Sequence, residues 1–88
     1  MIRKRIIFTG RVQGVGFRWR ARQAAVLYDC TGWCRNNPDG AVTMEIQGKE
    51  EAIDRVIESL ENGRFIWIHG MDVTPLDPDP EERGFRTE

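Results

Sequence analysis

Apolar and polar positions change period several times along these 88 residues, and each change marks an element. Arg5-Ile6-Ile7-Phe8-Thr9 is short, apolar and β-branched, the composition of a strand. Phe17, Ala21, Ala24, Ala25 and Tyr28 then recur at helical spacing. A further strand is expected around Gly32-Trp33, and Asn36-Asn37-Pro38-Asp39-Gly40 reads as the turn that follows it. Beyond the turn, Met44 and Ile46 alternate with Thr43, Glu45 and Gln47, the pattern of a half-buried strand. Ile53, Val56, Ile57 and Leu60 form a helical stripe, with Glu50, Glu51 and Asp54 early in it and Gly63 just past its end. Ile66, Trp67 and Ile68 open another strand. Pro75, Pro78 and Pro80, interspersed with Asp77, Asp79, Glu81 and Glu82, predict a polar loop, and Gly84-Phe85-Arg86 a short edge strand.

The resulting β-α-β-β-α-β order predicts an α+β fold: a ferredoxin-like split βαβ sandwich, its antiparallel sheet carrying two helices on one face. Periodicity alone leaves a sandwich of other topology open. The length fits one domain, residues 1–88, burying about 60–65% of its unfolded surface.

Composition narrows the partners. Forty percent apolar and 31% charged residues are ordinary for a soluble globular chain. No stretch approaches the roughly 20 apolar residues of a membrane span, and the N-terminus lacks the apolar centre of a signal peptide. No membrane partner and a cytoplasmic location are expected. The first forty residues hold eight Lys/Arg against two Asp/Glu, and the remainder five against twelve. Such runs are usually solvated faces. A functional reading has Arg11, Arg18, Arg20, Arg22 and Arg35 steering a small anion. A nucleic-acid partner is not expected, because such surfaces favour a basic pI and this one is near 5.8. Cys30 and Cys34, if on one strand, have Cα atoms about 13 Å apart, beyond disulfide reach. They read as free buried thiols in a reducing compartment. Two cysteines and one histidine do not suggest a structural zinc site.

Candidate chemistry concentrates in Gly10-Arg11-Val12-Gln13-Gly14-Val15-Gly16-Phe17-Arg18, a glycine-rich loop between a strand and a helix. Glycines let main-chain N–H groups turn inward, the helix N-terminus adds partial positive charge, and Arg18 adds a planar fork suited to phosphate or carboxylate oxygens. The run is not a P-loop, which needs four residues between its glycines and then Gly-Lys-Ser/Thr. A dinucleotide fingerprint starting at Gly14 would meet Trp19 at its third glycine position. On the residues alone, a tight structural turn competes evenly with an anion site.

These residues also resemble a known family. Gly10-x-Val12-Gln13-Gly14-Val15-Gly16-Phe17-Arg18, then Gly32-Trp33-x-Arg35-Asn36 and Asp39-Gly40, look like the acylphosphatase signature pair in order and spacing. The resemblance runs from about residue 5 to Gly63. It implies the same ferredoxin-like fold and hydrolysis of the carboxyl–phosphate bond of small acyl phosphates. It also implies that Arg18 is the catalytic, phosphate-binding arginine and Asn36 the residue that positions the attacking water. The expected phosphate-binding set is Gln13, Gly14, Val15, Gly16, Phe17 and Arg18, with neither metal nor other cofactor, and with inorganic phosphate as product and inhibitor. A monomer is expected.

The inventory agrees with that chemistry. No Ser-His-Asp, Cys-His or paired-carboxylate arrangement is visible, and His69 is far in sequence from the loop. A carboxylate leaves an acyl phosphate without needing a proton, and phosphoryl transfer asks mainly for positioning and charge stabilisation. Asn37, before Pro38, reads as a turn residue. Trp33 and Trp67 read as packing residues, Gln13 and Arg35 as loop supports or solvent-facing. Departures from the family pattern are Arg20, where an aromatic is usual, Tyr28-Asp29-Cys30 in place of Leu-Gly-Leu, and Arg64 in place of proline. A left-handed cap at Asp29 would cost roughly 1 kcal/mol.

Three other readings stay open. One is a non-catalytic phosphate- or anion-binding module of the same fold. Another is the acylphosphatase-like domain of larger carbamoyl-phosphate-processing proteins, disfavoured by the lack of zinc-finger-like cysteine clusters. The last is an RNA-recognition motif, whose opening alone is reproduced by Arg83-Gly84-Phe85-Arg86.

Overall fold

The computed structural model describes residues 1–88. In chain order the elements are β1 (Ile2–Arg11), α1 (Phe17–Leu27), β2 (Thr31–Asn36), β3 (Val42–Gly48), α2 (Glu50–Glu61), β4 (Trp67–Leu76) and β5 (Phe85–Thr87). They make one open sheet in the order β4-β1-β3-β2-β5, the ferredoxin-like β-α-β-β-α-β arrangement with a tail strand added.

Three details differ from the periodicity. β5 runs parallel to β2, pairing Gly32 with Phe85 and Cys34 with Thr87, so the sheet is mixed where an antiparallel one was expected. β1 reaches from Ile2 to Arg11, well beyond its apolar centre, because both its edges are paired. β4 continues through Pro75 to Leu76, where a loop was expected. Pro75 has no N–H to donate, but β4 is an edge strand and answers only to β1 on one side.

Alternation along the central strands separates two faces. Ile6 and Phe8 of β1 and Met44 and Ile46 of β3 turn inward and are fully buried. Phe17, Ala21, Ala24 and Ala25 of α1 and Ile53, Val56 and Leu60 of α2 close over them. The alanines bring α1 close to the sheet, and the Phe17 ring meets Phe8 edge-on at 4.9 Å between centroids.

The other face is polar. Arg3, only 6% exposed, donates Nη1 to Glu82 Oε1 at 2.7 Å and Nη2 to Glu45 Oε1 at 3.0 Å. Arg5 adds Nη2 to Glu45 Oε2 at 2.8 Å. Gln47 Nε2 donates to the Asp79 carbonyl at 2.9 Å and its Oε1 accepts from Asp79 N at 2.6 Å. These contacts hold the 77–84 loop against the outer face as it crosses from β4 to β5. That crossing covers four strand spacings, about 19 Å, within reach of eight residues at about 3.3 Å each.

Candidate active site

The loop after β1 and the turn after β2 come together at one end of the sheet. Gln13 joins them: its Nε2 donates to the carbonyls of Asn37 and Ala41, each at 2.8 Å. Gly14 and Gly16 take φ of +71° and +80°, a left-handed conformation that L side chains rarely adopt. Gly16 is the N-cap of α1 and supplies no capping side chain. The first helical bond runs from Arg20 N to Gly16 O at 3.0 Å, and the main-chain N–H groups from Gly14 to Trp19 have no acceptor within the protein. An uncapped helix start following left-handed glycines is a cluster of main-chain donors suited to an anion.

These donors border a cavity of about 180 Å³ lined by Val12, Gly14, Gly16, Phe17, Arg18, Trp19 and Asn36. Arg18 and Asn36, eighteen positions apart in sequence, thus share one cavity with both glycines and Phe17. Gln13 and Val15 do not line it. The Gln13 side chain is spent on the turn, and Val15 packs against the hydrophobic core, so both can offer the cavity only main-chain groups.

Arg18 is half-buried, and its Nη1 donates to the main-chain oxygen of Glu88 at 2.7 Å. Glu88 N in turn donates to Cys34 O at 2.8 Å, which ties the segment after β5 to β2. Asn36 ends β2 opposite Val42, exposed, its side-chain amide free of protein partners. Asn37 is bonded into the turn, with N donating to Ala41 O at 2.8 Å and Nδ2 to Thr43 Oγ1 at 2.7 Å.

The other arginines do not gather here. Arg20 Nε donates to Ser59 O at 2.6 Å, Arg22 Nε to Phe85 O at 3.3 Å, and the Arg35 guanidinium lies over the Trp33 ring at 5.3 Å. Of the five expected to steer an anion, Arg18 alone lines the cavity. Trp67, expected to pack, is 65% exposed and meets His69 edge-on, with neither at the cavity.

Cys34 is fully buried beneath this region, and burial pushes its thiol up to about 12 despite the opposing Arg18 charge. Cys30 is pushed to about 11, by burial and then by Asp29. Both stay protonated at neutral pH and are inert as nucleophiles. No group of three His, Cys, Asp or Glu side chains is placed to hold a metal ion.

Sequence reasoning missed Val12 and Trp19 as lining residues and Glu88 as the partner of Arg18. Trp19 had a local signal, adjacency to Arg18. Glu88 had none, since seventy positions separate it from its contact.

The fold and this cavity define a small ferredoxin-like α+β protein with main-chain and arginine donors suited to a phosphoryl-sized anion. The chain belongs to the acylphosphatase family, whose model matches residues 4–87. It is 41% identical over 87 residues to an acylphosphatase of Geobacillus kaustophilus, covering 98% of this chain and 93% of that one. The crystal structure of the acylphosphatase from Bacillus subtilis superposes with a TM-score of 0.91 at 34% identity, over 100% and 99% of the two chains. A full-length HypF, solved in a phosphate- and nucleotide-bound form, matches with a TM-score of 0.84 at 27% identity, although this chain covers only 12% of it. The protein is thus an enzyme of the acylphosphatase family, a hydrolase of acyl phosphates.

Proposed function

We propose that the enzyme hydrolyses the carboxyl–phosphate bond of small acyl phosphates without metal or covalent intermediate. The observation that carries this reading is the meeting of Arg18, Asn36 and the unpartnered N–H groups of Gly14 to Trp19 around one cavity. The loop N–H groups and the remaining Arg18 donors hold the phosphoryl oxygens, spreading the charge that builds up as the bond breaks. Asn36, neutral beside an anion, accepts from the attacking water through its carbonyl oxygen and donates to a phosphoryl oxygen through its amide. Water adds to phosphorus and the P–O bond to the acyl group breaks. The carboxylate departs with the electron pair, and the proton passes to solvent. No acid is required, which suits a cavity lined by no carboxyl, imidazole or thiol. We place this activity in a cytoplasmic monomer, one domain over residues 1–88. The unpaired, buried Cys30 and Cys34 fit a reducing compartment, and no helix is long and apolar enough to cross a membrane.

Initial rates on an acyl phosphate and on a phosphate monoester, each with EDTA and with added Mg²⁺, test the reading. The expected result is chelator-resistant turnover of the acyl phosphate, competitive inhibition by inorganic phosphate, and poor turnover of the monoester, whose alkoxide leaving group needs an acid. Activity lost to EDTA and restored by metal would reject the metal-free route. Phosphate binding without any turnover would select a non-catalytic phosphate-binding module, a reading that draws on the likeness to the phosphate-bound HypF.

A further inference from the structure

The Trp19 side chain has no part in the chemistry above, and it is 67% exposed. It lines two hollows at once. One is the phosphoryl cavity, and the other is a groove of about 380 Å³ between α1 and α2, lined by Trp19, Arg20, Gln23, Ala24, Leu27 and Ser59. Trp19, Gln23 and Leu27 recur every four residues and form one row along α1, running about 12 Å away from the cradle. Leu27, at the far end, is 73% exposed.

We infer that this groove is the acyl-group subsite and that it selects aryl acyl phosphates, an inference that rests on the hydrolase reading of the cradle. A phosphoryl group seated on the loop must direct its acyl group out of the cavity, and Trp19 is the wall shared with the next hollow. The groove exists because Ala24, between the larger side chains of the row, is small and buried. Its chemistry favours a ring. The Trp19 indole, at the end of the groove next to the cradle, offers a stacking face. Arg20, held by its Nε bond to Ser59 O, carries a fixed guanidinium on the same groove, where an aromatic face gains a cation–π contact. The hollow near the other side of the loop, lined by Thr9, Gly10, Asp39, Gly40 and Ala41, is smaller, at about 150 Å³. The Asp39 carboxylate there repels a substrate already bearing phosphate charge, and Ala41 alone is apolar.

Two non-hydrolysable probes, benzylphosphonate and methylphosphonate, separate the subsite from catalysis. Calorimetric affinities for wild type should favour benzylphosphonate by about tenfold, the scale of burying a small apolar group in an open groove. Trp19→Ala should collapse that ratio. The same substitution should lower kcat/KM for benzoyl phosphate relative to acetyl phosphate. A wild-type ratio near unity, or one that survives Trp19→Ala, overturns the subsite. Failure to bind either phosphonate removes the cradle and the subsite together. A tenfold ratio with no turnover of any acyl phosphate would instead sustain the subsite and overturn the hydrolytic reading.

Discussion

Asn36 and Asn37 are adjacent amides with opposite employment. Asn37 spends its side chain on Thr43 and its N–H on Ala41, whereas the Asn36 amide stands unbonded on the cavity that holds Arg18. Asn36→Ala is therefore expected to lower kcat by about 10²-fold, the scale of losing one preorganised donor, with a smaller change in KM. Asn37→Ala should loosen the turn and leave kcat comparatively intact; steady-state kinetics of the two variants reveal the order, and its reversal would move the water-positioning role. Arg18→Ala should nearly abolish turnover and weaken inorganic phosphate binding. Its one protein bond is to the Glu88 main chain, so circular dichroism should report an intact fold. Turnover like wild type in that variant would end the proposed mechanism.

Helix α1 shows how an element's two ends serve different purposes. Its N-terminus is left uncapped beside the cavity, while its C-terminus is closed by main-chain bonds. Cys30 N donates to Ala25 O at 2.8 Å and Asp29 N to Val26 O at 3.3 Å, the paired bonds of a Schellman cap. That cap requires a left-handed residue, and Asp29 fills it with φ of +60°, the one non-glycine of positive φ in the chain. Asp29→Gly is expected to stabilise the protein by up to about 1 kcal/mol, partly offset by the added freedom of the unfolded chain. Denaturant unfolding of the variant should show a higher midpoint with unchanged slope. Activity should be unaffected, because the cap lies at the opposite end of the helix from the loop.

For the whole molecule, the outer face of the sheet decides where the chain ends up. Arg3 meets Glu45 and Glu82 where all three side chains are no more than 13% exposed, and this pins the 77–84 loop that delivers β5 and the Glu88 contact to Arg18. Removing one partner of such a cluster strands the others: Arg3→Met should cost about 3 kcal/mol or more. The cluster also sets an acid limit. Burial alone would raise the Glu45 carboxyl, but hydrogen bonds and charges from Arg5 and Arg3 outweigh it and hold it below the usual range. A depressed folded value means its stabilisation is complete above the unfolded pKa of about 4.3. It is lost as pH falls through the folded value. Stability measured from pH 7 downward should drop steeply below about pH 4, and Glu45→Gln should be less stable at neutral pH with a shallower acid decline. Equal acid slopes in the two proteins would remove Glu45 from that role.

The sequence by itself determined what depends on neighbours in the chain. The helical stripes of Phe17 to Ala25 and Ile53 to Leu60, the alternation through Met44 and Ile46, and the element order of the fold are local consequences of period and turn chemistry; Tyr28, expected on the first stripe, lies past the end of α1 and is exposed. The glycine loop was legible too, since Gly14 and Gly16 announce positive φ and Arg18 follows at the helix start. Even the strained cap at Asp29 could be read from the missing glycine. What only tertiary structure decided involves partners distant in sequence. The extension of β4 through Pro75 depends on β1 as its single neighbour, and the parallel placement of β5 depends on Arg3 and Gln47 holding the loop before it. Four of the five clustered arginines are claimed by contacts elsewhere or left in solvent, and Trp19 becomes a wall between two hollows only when α2 packs beside α1. Period records which face a residue turns, but the identity of what it meets there is set by packing between segments that carry no local trace of one another.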